Sequence, residues 1–454
     1  MKMIYNIEDK PKFGQMLVFA FQQLLAIMAA TIAVPMIIGN GMSVSAALFG
    51  AGIGTLIYVL FTKAKSPVFL GSSFAFLGSM GAAFTGAVSA QAGFAGLIIG
   101  AVFAGLIYVI IALLVKLVGV NWLNKLMPPV VIGPTVALIG LSLAGNAVGD
   151  LQKGSVLNED LLPTANVFVA LICGIVTLVT VTLCSTYGKK MVKLIPFIIG
   201  ILAGYFVAAI FTVIGIYTDN PALMVINFAP IKALWSDGIS LSTFVSVPEF
   251  TFLEAIKGVK KLDSSYIATI AVAYIPVALV VFAEHVADHK NISSIIERDL
   301  LDKPGLHRTL LGDGVGSMVG AFFGGCPNTT YGESVACVAI TRNASVVTII
   351  CTAIIAIVVS FFAPLVAFLG SIPSCVMGGV CMSLYGFIAV SGLKMLQPVD
   401  LNDNKNLFVA SVILISGVGG LSLTFGKVTI TAIATSLILG IIMNIILSGK
   451  KKSE

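Results

Sequence analysis

The sequence predicts an all-α polytopic membrane protein, and three observations carry that prediction. The 454-residue chain is 58% apolar and only 10% charged, with a mean hydropathy of +1.06; soluble domains carry about a quarter charged residues. Its apolar residues come in blocks of about 17–25, the length a helix needs to cross about 30 Å of hydrocarbon. Residues 167–183, 196–216, 267–283, 346–365 and 428–446 are clear cases. The third observation is the sidedness of the basic residues.

Counting the apolar blocks gives about fourteen spans. With the N-terminus inside, twenty of the 26 lysines and arginines fall on the inner side. The other six are Lys153, Lys232, Lys257, Lys260, Lys261 and Lys427, four of them in one long loop. The positive-inside rule therefore predicts that both termini are cytoplasmic. The net charge of +6 is then an orientation signal, and no nucleic-acid partner is expected. The opening MKMIYNIEDKPKFGQ carries both signs of charge and no small-residue cleavage site, so a first transmembrane helix is expected in place of a signal peptide. The seven cysteines contain no CxxC pair and read as small buried hydrophobes, with no metal site or disulfide framework. No HExxH, GxSxG or phosphate loop is present, so no enzyme and no organic cofactor are expected.

An even span number with both termini inside divides into seven and seven. Residues 1–218 form the first repeat, 219–263 an extracytoplasmic connecting segment and 264–454 the second. A seven-span repeat is inverted relative to its twin, and such repeats place substrate near the midplane at helices that break. The third span reads FLGSSFAFLGSMGAAFTGAVSAQAG from Phe69, and the tenth reads GGCPNTTYGESVACVAITR. Both open with Gly, Ser, Thr or aromatic residues and then become Ala-rich. Pro327 holds Cys326 extended and offers no backbone donor. Backbone of that kind persists at membrane depth only where it pairs or lines a cavity. Residues 70–76 and 326–332 are therefore expected to be extended segments that meet. Plain helices rich in small residues for close packing are the alternative.

Four acids lie in or beside apolar segments: Glu284 and Asp288 in VALVVFAEHVADHKN, Asp313 in LLGDGVGSMVG, and Glu333. Ionisable groups there are costly and face cavities, pair or bind protons. Asp288 follows Glu284 by one helical turn, on the same face. His289 and Lys290 read as interfacial. Asp313 reads equally as a proton-coupling group or as a hydrogen-bonding partner for a neighbouring helix. Carboxylates accept hydrogen bonds, and backbone N–H groups at broken helix ends donate them. A flat ring with N–H and C=O groups along one edge matches that set, with Phe74, Phe76 and Tyr331 offering faces to stack on. A carboxyl in low dielectric can also carry a proton, the chemistry of proton-coupled symport.

FQQLLAIMAATIAVP, VFLGSSFAF, VVFAEHV, LLDKPGLHR, PNTTYGE with AITR, and MGGVCMSLYG together resemble the nucleobase–ascorbate transporter family, in particular its bacterial uracil permease branch. The resemblance implies fourteen segments in two inverted repeats of seven, with short antiparallel strands in segments 3 and 10, and core and gate domains. It implies proton-coupled uptake of uracil across the bacterial cytoplasmic membrane, with the proton as coupling ion. A xanthine or urate permease of the same family is the alternative. Glu284 and Glu333 would bind the base, Phe74 and Gly332 would offer ring or amide, and Ala30, Ser73, Tyr331 and Tyr385 would complete the pocket. Glu284, Asp288, Glu333 and Asp313 would be the proton-coupling candidates, and a homodimer in membrane lipid would be the assembly. The chain departs from the family pattern at Ser334 and Ala336, at Gln22–Gln23 in the first helix, and at Asp288, where some uracil permeases carry His.

Overall fold

The structure, a computed structural model, describes residues 3–448 other than 120, 161, 190, 237, 426 and 427. Lys2, Lys190, Lys427 and residues 450–452, used above to assign sidedness, lie outside the described residues. Among the described residues, eight helices are long and apolar enough to cross a membrane. Shorter apolar helices occupy Phe74–Thr85, Gly332–Thr341, Val346–Val359, Asn404–Val418 and Ala432–Ser448. The chain is a multi-pass membrane protein.

The helices sort into two packed groups. Phe13–Ile38, Val44–Phe61, Ala90–Val118, Ser264–Ile296, Leu306–Gly324 and Val346–Val359 pack on one another. Pro129–Ser142, Val167–Tyr187, Pro196–Tyr217, Ser374–Met395, Asn404–Val418 and Ala432–Ser448 form the second group. Lipid supplies no hydrophobic drive between helices, so small residues that admit close approach decide such contacts. At the crossing of Val44–Phe61 with Leu306–Gly324, a Cβ on Gly316 would sit 2.7 Å from the Gly54 carbonyl oxygen. Only glycine fits there.

Local chemistry sets the helix ends. Ser43 accepts from the Ala46 amide and Asp263 from the Tyr266 amide, satisfying donors that have no intrahelical acceptor. The connecting segment forms the short helices Ala229–Ala233, Leu241–Phe244 and Thr251–Gly258. Near the N-terminus, the Ile4 amide donates to the Arg342 carbonyl and the Ala344 amide to the Tyr5 carbonyl. Glu8 pairs with Arg298 at 2.8 Å, both side chains being well exposed.

Among the described residues four three-residue strands interrupt the helical pattern; Leu423–Phe425 pairs with Val428–Ile430 near the C-terminal end, and the other two fall where the Gly-, Ser- and Thr-rich runs predict. β1 (Leu70–Ser72) pairs antiparallel with β2 (Asn328–Thr330), Gly71 standing opposite Thr329. The extended stretches are shorter than the expected 70–76 and 326–332. Phe74–Phe76 is already a 3-10 turn leading into Leu77–Thr85, and Gly332 opens Gly332–Thr341. Once past the paired residues, the backbone has no partner strand, and turning helical satisfies its own groups.

Candidate functional site

The strand pair is held by groups drawn from several helices. Thr55 accepts from the Leu70 amide at 2.9 Å and donates to the Ala51 carbonyl at 2.8 Å. The Ser73 amide donates to the Pro327 carbonyl, and the Tyr331 amide to the Phe69 carbonyl. Ser334, fully buried, accepts from the Phe69 amide at 3.0 Å and from the Gln23 side chain. Asn328 donates to the Gly50 carbonyl at 3.0 Å. These bonds give the broken backbone partners in a place without water, which the membrane setting demands.

Where the strands end, two helices begin, and both N-termini face one cavity between the helix groups. Its volume is about 360 Å³, within the roughly 300–1,000 Å³ of small-molecule sites. Glu284 and Asp288 enter it from one face of Ser264–Ile296, and Ser73, Phe74, Tyr331, Gly332 and Glu333 from the broken segments. Val136, Ile139, Leu384 and Phe387 of the second helix group form an apolar wall. First-turn amides of a helix lack intrahelical acceptors, so Phe74 and Gly332 can present donors opposite the carboxyls. Asp288 accepts from the Thr330 hydroxyl at 2.8 Å, tying β2 to Ser264–Ile296. Glu284 makes no hydrogen bond among the described residues, and the buried Ser73 hydroxyl also lacks a partner. The arrangement has acceptors and donors free for a ligand, and apolar surface to cover its faces.

The cavity extends to Ser185, Lys193, Pro196, Ile340 and Met395, at the ends of four helices and a short connecting one. Lys193 thus stands at its mouth. The sequence treated this lysine only as an orientation signal, and nothing local marks it as cavity-lining.

Six of the expected binding residues line the cavity, and two do not. Ala30 is buried inside Phe13–Ile38, and Ala26, one turn earlier, is the residue of that helix at the wall. Tyr385 stands behind the wall, its ring edge-on to Phe74 at 5.9 Å. Phe76 is not a stacking face for a ligand, because its ring already stacks on Tyr274 at 5.5 Å. The Tyr331 hydroxyl is committed to the Ser72 carbonyl at 2.8 Å.

Asp313 does not line the cavity and pairs with His285 at 2.6 Å. His289 is fully buried and lies 2.7 Å from the Tyr58 hydroxyl, so the interfacial expectation for it is corrected. Lys290 is exposed. The signal for this was present in AEHVADH: acids at i and i+4 share one helix face, and the histidines one residue later share another.

The sequence model of the Permease family (Xan_ur_permease) matches residues 14–426. The chain belongs to this family. The permease is 38% identical to the uracil permease of Bacillus caldolyticus, over 100% of this chain and 96% of that one. It is 37% identical to the uracil permease of Bacillus subtilis, covering 100% and 97%. To the uracil permease of Escherichia coli K12 it is 35% identical, covering 97% and 93%.

Among solved structures, the permease is similar to the transmembrane domain of the cyanobacterial bicarbonate transporter BicA. The TM-score is 0.62 at 14% identity, covering 97% of this chain and 100% of that one. It is also similar to the murine anion transporter Slc26a9 in its inward-facing state, with a TM-score of 0.68 at 12% identity, covering 98% and 70%. At such identities the likeness concerns the fold alone.

Proposed function

We propose that this permease carries uracil inward with protons, across a bacterial cytoplasmic membrane, by alternating access. The observation that carries the reading is the pairing of Glu284 and Glu333 with two helix N-termini around one cavity. Carboxyls accept the ring N–H groups, the Phe74 and Gly332 amides donate to ring carbonyls, and Phe74 covers a face of the ring. Glu284, Asp288 and Glu333 are the coupling carboxyls, each able to exchange a proton with the cavity. The relatives named uracil permease, matched over nearly their whole length, favour this base.

In this reading the chain has fourteen segments in two inverted repeats, 1–218 and 264–454, joined by 219–263. The strand-bearing helix group is the core domain and the second group the gate domain. The helices and interrupted segments near each expected span support that count, as does the pairing of segments 3 and 10 through β1 and β2. Both termini are cytoplasmic, which makes the Lys193 mouth the inner one and the conformation inward-facing. A homodimer is the assembly the reading carries.

A xanthine or urate permease is the second reading within the family. The fold likeness to anion transporters raises a third, but three acids around the cavity oppose an anionic substrate. Radiolabelled uracil uptake into proteoliposomes, with and without an inward proton gradient, tests the proposal. Gradient-stimulated uptake competed by unlabelled uracil and not by xanthine is the expected result. Uptake of xanthine and not uracil would move the substrate to the purines. Absence of gradient stimulation would refute proton coupling.

A further inference from the structure

Behind the cavity, on another face of Ser264–Ile296, lies a buried polar cluster that the transport reading does not use. His285 and His289 are both fully buried, their rings stacked with centroids 4.1 Å apart. The hydrogens are assigned by counting donors. The Thr309 hydroxyl is 3.1 Å from the Leu306 carbonyl, an acceptor only, and its one hydrogen is assigned to that bond. With that assignment Thr309 offers His285 a lone pair, and the ring Nε2, 3.0 Å away, is assigned a hydrogen. His285 Nδ1 stands 2.6 Å from Asp313 Oδ2, with room for one hydrogen between them. Whichever atom holds that hydrogen, ring and carboxyl together hold two protons and sum to zero charge.

The surroundings keep it so. Asp313 is 1% exposed, and its other oxygen has no partner among the described residues. Tyr108 faces His285 from Ala90–Val118, His289 stacks on it from the same helix with Tyr58 beyond, and Glu284 and Asp288 lie towards the cavity. No Lys or Arg ion-pairs with it among the described residues. Losing the shared proton would leave a bare negative charge and gaining another a bare positive one, in a place where neither finds a counter-charge. His289 commits one ring nitrogen to the His285 carbonyl at 2.8 Å, which can only accept. Among the described residues no carboxylate bonds to it.

We infer that His285 and Asp313 form a positioning pair that holds the face bearing Glu284 and Asp288 towards the cavity and keeps its shared proton throughout transport. The inference rests on the uracil–proton reading for its transport assay only, and it gives Asp313, a coupling candidate in the sequence, a positioning role. Glu284 adjoins His285 in sequence and Asp288 follows it by three residues. Bracing His285 from Leu306–Gly324 therefore sets the rotation of both acids.

Asp313→Asn is the deciding variant, because an amide N–H can donate to His285 Nδ1 and leave the ring tautomer unchanged. In proteoliposomes its uracil uptake should stay within about threefold of the parent, with the same pH profile and gradient stimulation. Asp313→Leu, which offers Nδ1 nothing, should lose more than about tenfold. An Asp313→Asn protein that still binds uracil but no longer responds to the gradient would overturn the inference, because Asp313 would then carry the coupling proton. Equal loss in Asn and Leu variants that remain folded would overturn it too.

Should the Asn variant not fold, nitrogen-15 NMR of histidine-labelled parent protein decides. The chain has three histidines, and His307→Gln identifies the third. The His285 and His289 ring signals should stay fixed from about pH 5 to about 9, with or without uracil. Titration of either ring in that range would overturn the inference. Failure of the uracil reading appears separately, as no uptake by the parent, and leaves the NMR result standing.

Discussion

Ser334→Ala tests whether the broken backbone is held as described. The hydroxyl accepts from the Phe69 amide at 3.0 Å and from the Gln23 side chain, with no water-exposed surface at the site. Removing it orphans two buried donors at about 1–3 kcal/mol each, or about 2–6 kcal/mol together. Gln23→Leu alone removes one donor and leaves Ser334 still bound to Phe69, so it should cost about 1 kcal/mol. In Ser334→Ala/Gln23→Leu only the Phe69 amide is orphaned. The double variant should therefore cost less than the sum of the singles, by about 2–4 kcal/mol. Unfolding of the purified protein, followed for all four forms, measures the cycle. Costs that add to within about 0.5 kcal/mol would refute the shared-acceptor argument. A Ser334→Ala cost below about 1 kcal/mol would show that the donors find other partners.

Other outcomes follow from the same geometry. Glu284→Gln exchanges an acceptor oxygen for a donor N–H and should weaken uracil binding by more than about tenfold at all pH values, measured by equilibrium binding; unchanged affinity would remove Glu284 from the site. Asp288→Asn can keep the bond from Thr330, so binding should survive while the pH profile of uptake flattens; an unaltered profile would demote Asp288 to a strand anchor. Gly316→Ala places a methyl 2.7 Å from the Gly54 carbonyl and 2.8 Å from the Leu70 side chain, and should destabilise by about 1–3 kcal/mol in thermal unfolding. Arg298→Gln breaks an exposed pair with Glu8 and should cost no more than about 1 kcal/mol, with uptake unchanged.

Membrane residence, the break at PNTTYGE and the common face of Glu284 and Asp288 were all legible in the sequence by itself. Each depends on a short stretch of chain: an apolar block spans because of its length, Pro327 withholds a donor from its own residue, and i,i+4 spacing sets a face wherever a helix forms. The family resemblance rests on the same kind of contiguous strings. Tertiary structure decided what depends on partners distant in sequence. Asp313 read equally as a coupling acid or as a hydrogen-bonding partner until the fold placed His285 beside it. Phe76 is as aromatic as Phe74, but Tyr274 occupies its face. Ala30 lies one turn from Ala26 on the same helix, yet helix rotation and packing put only Ala26 at the cavity wall. Lys193 became a mouth residue because four other segments end beside it. Pairing, facing and enclosure are properties of groups brought together by packing, and one segment's composition does not hold them.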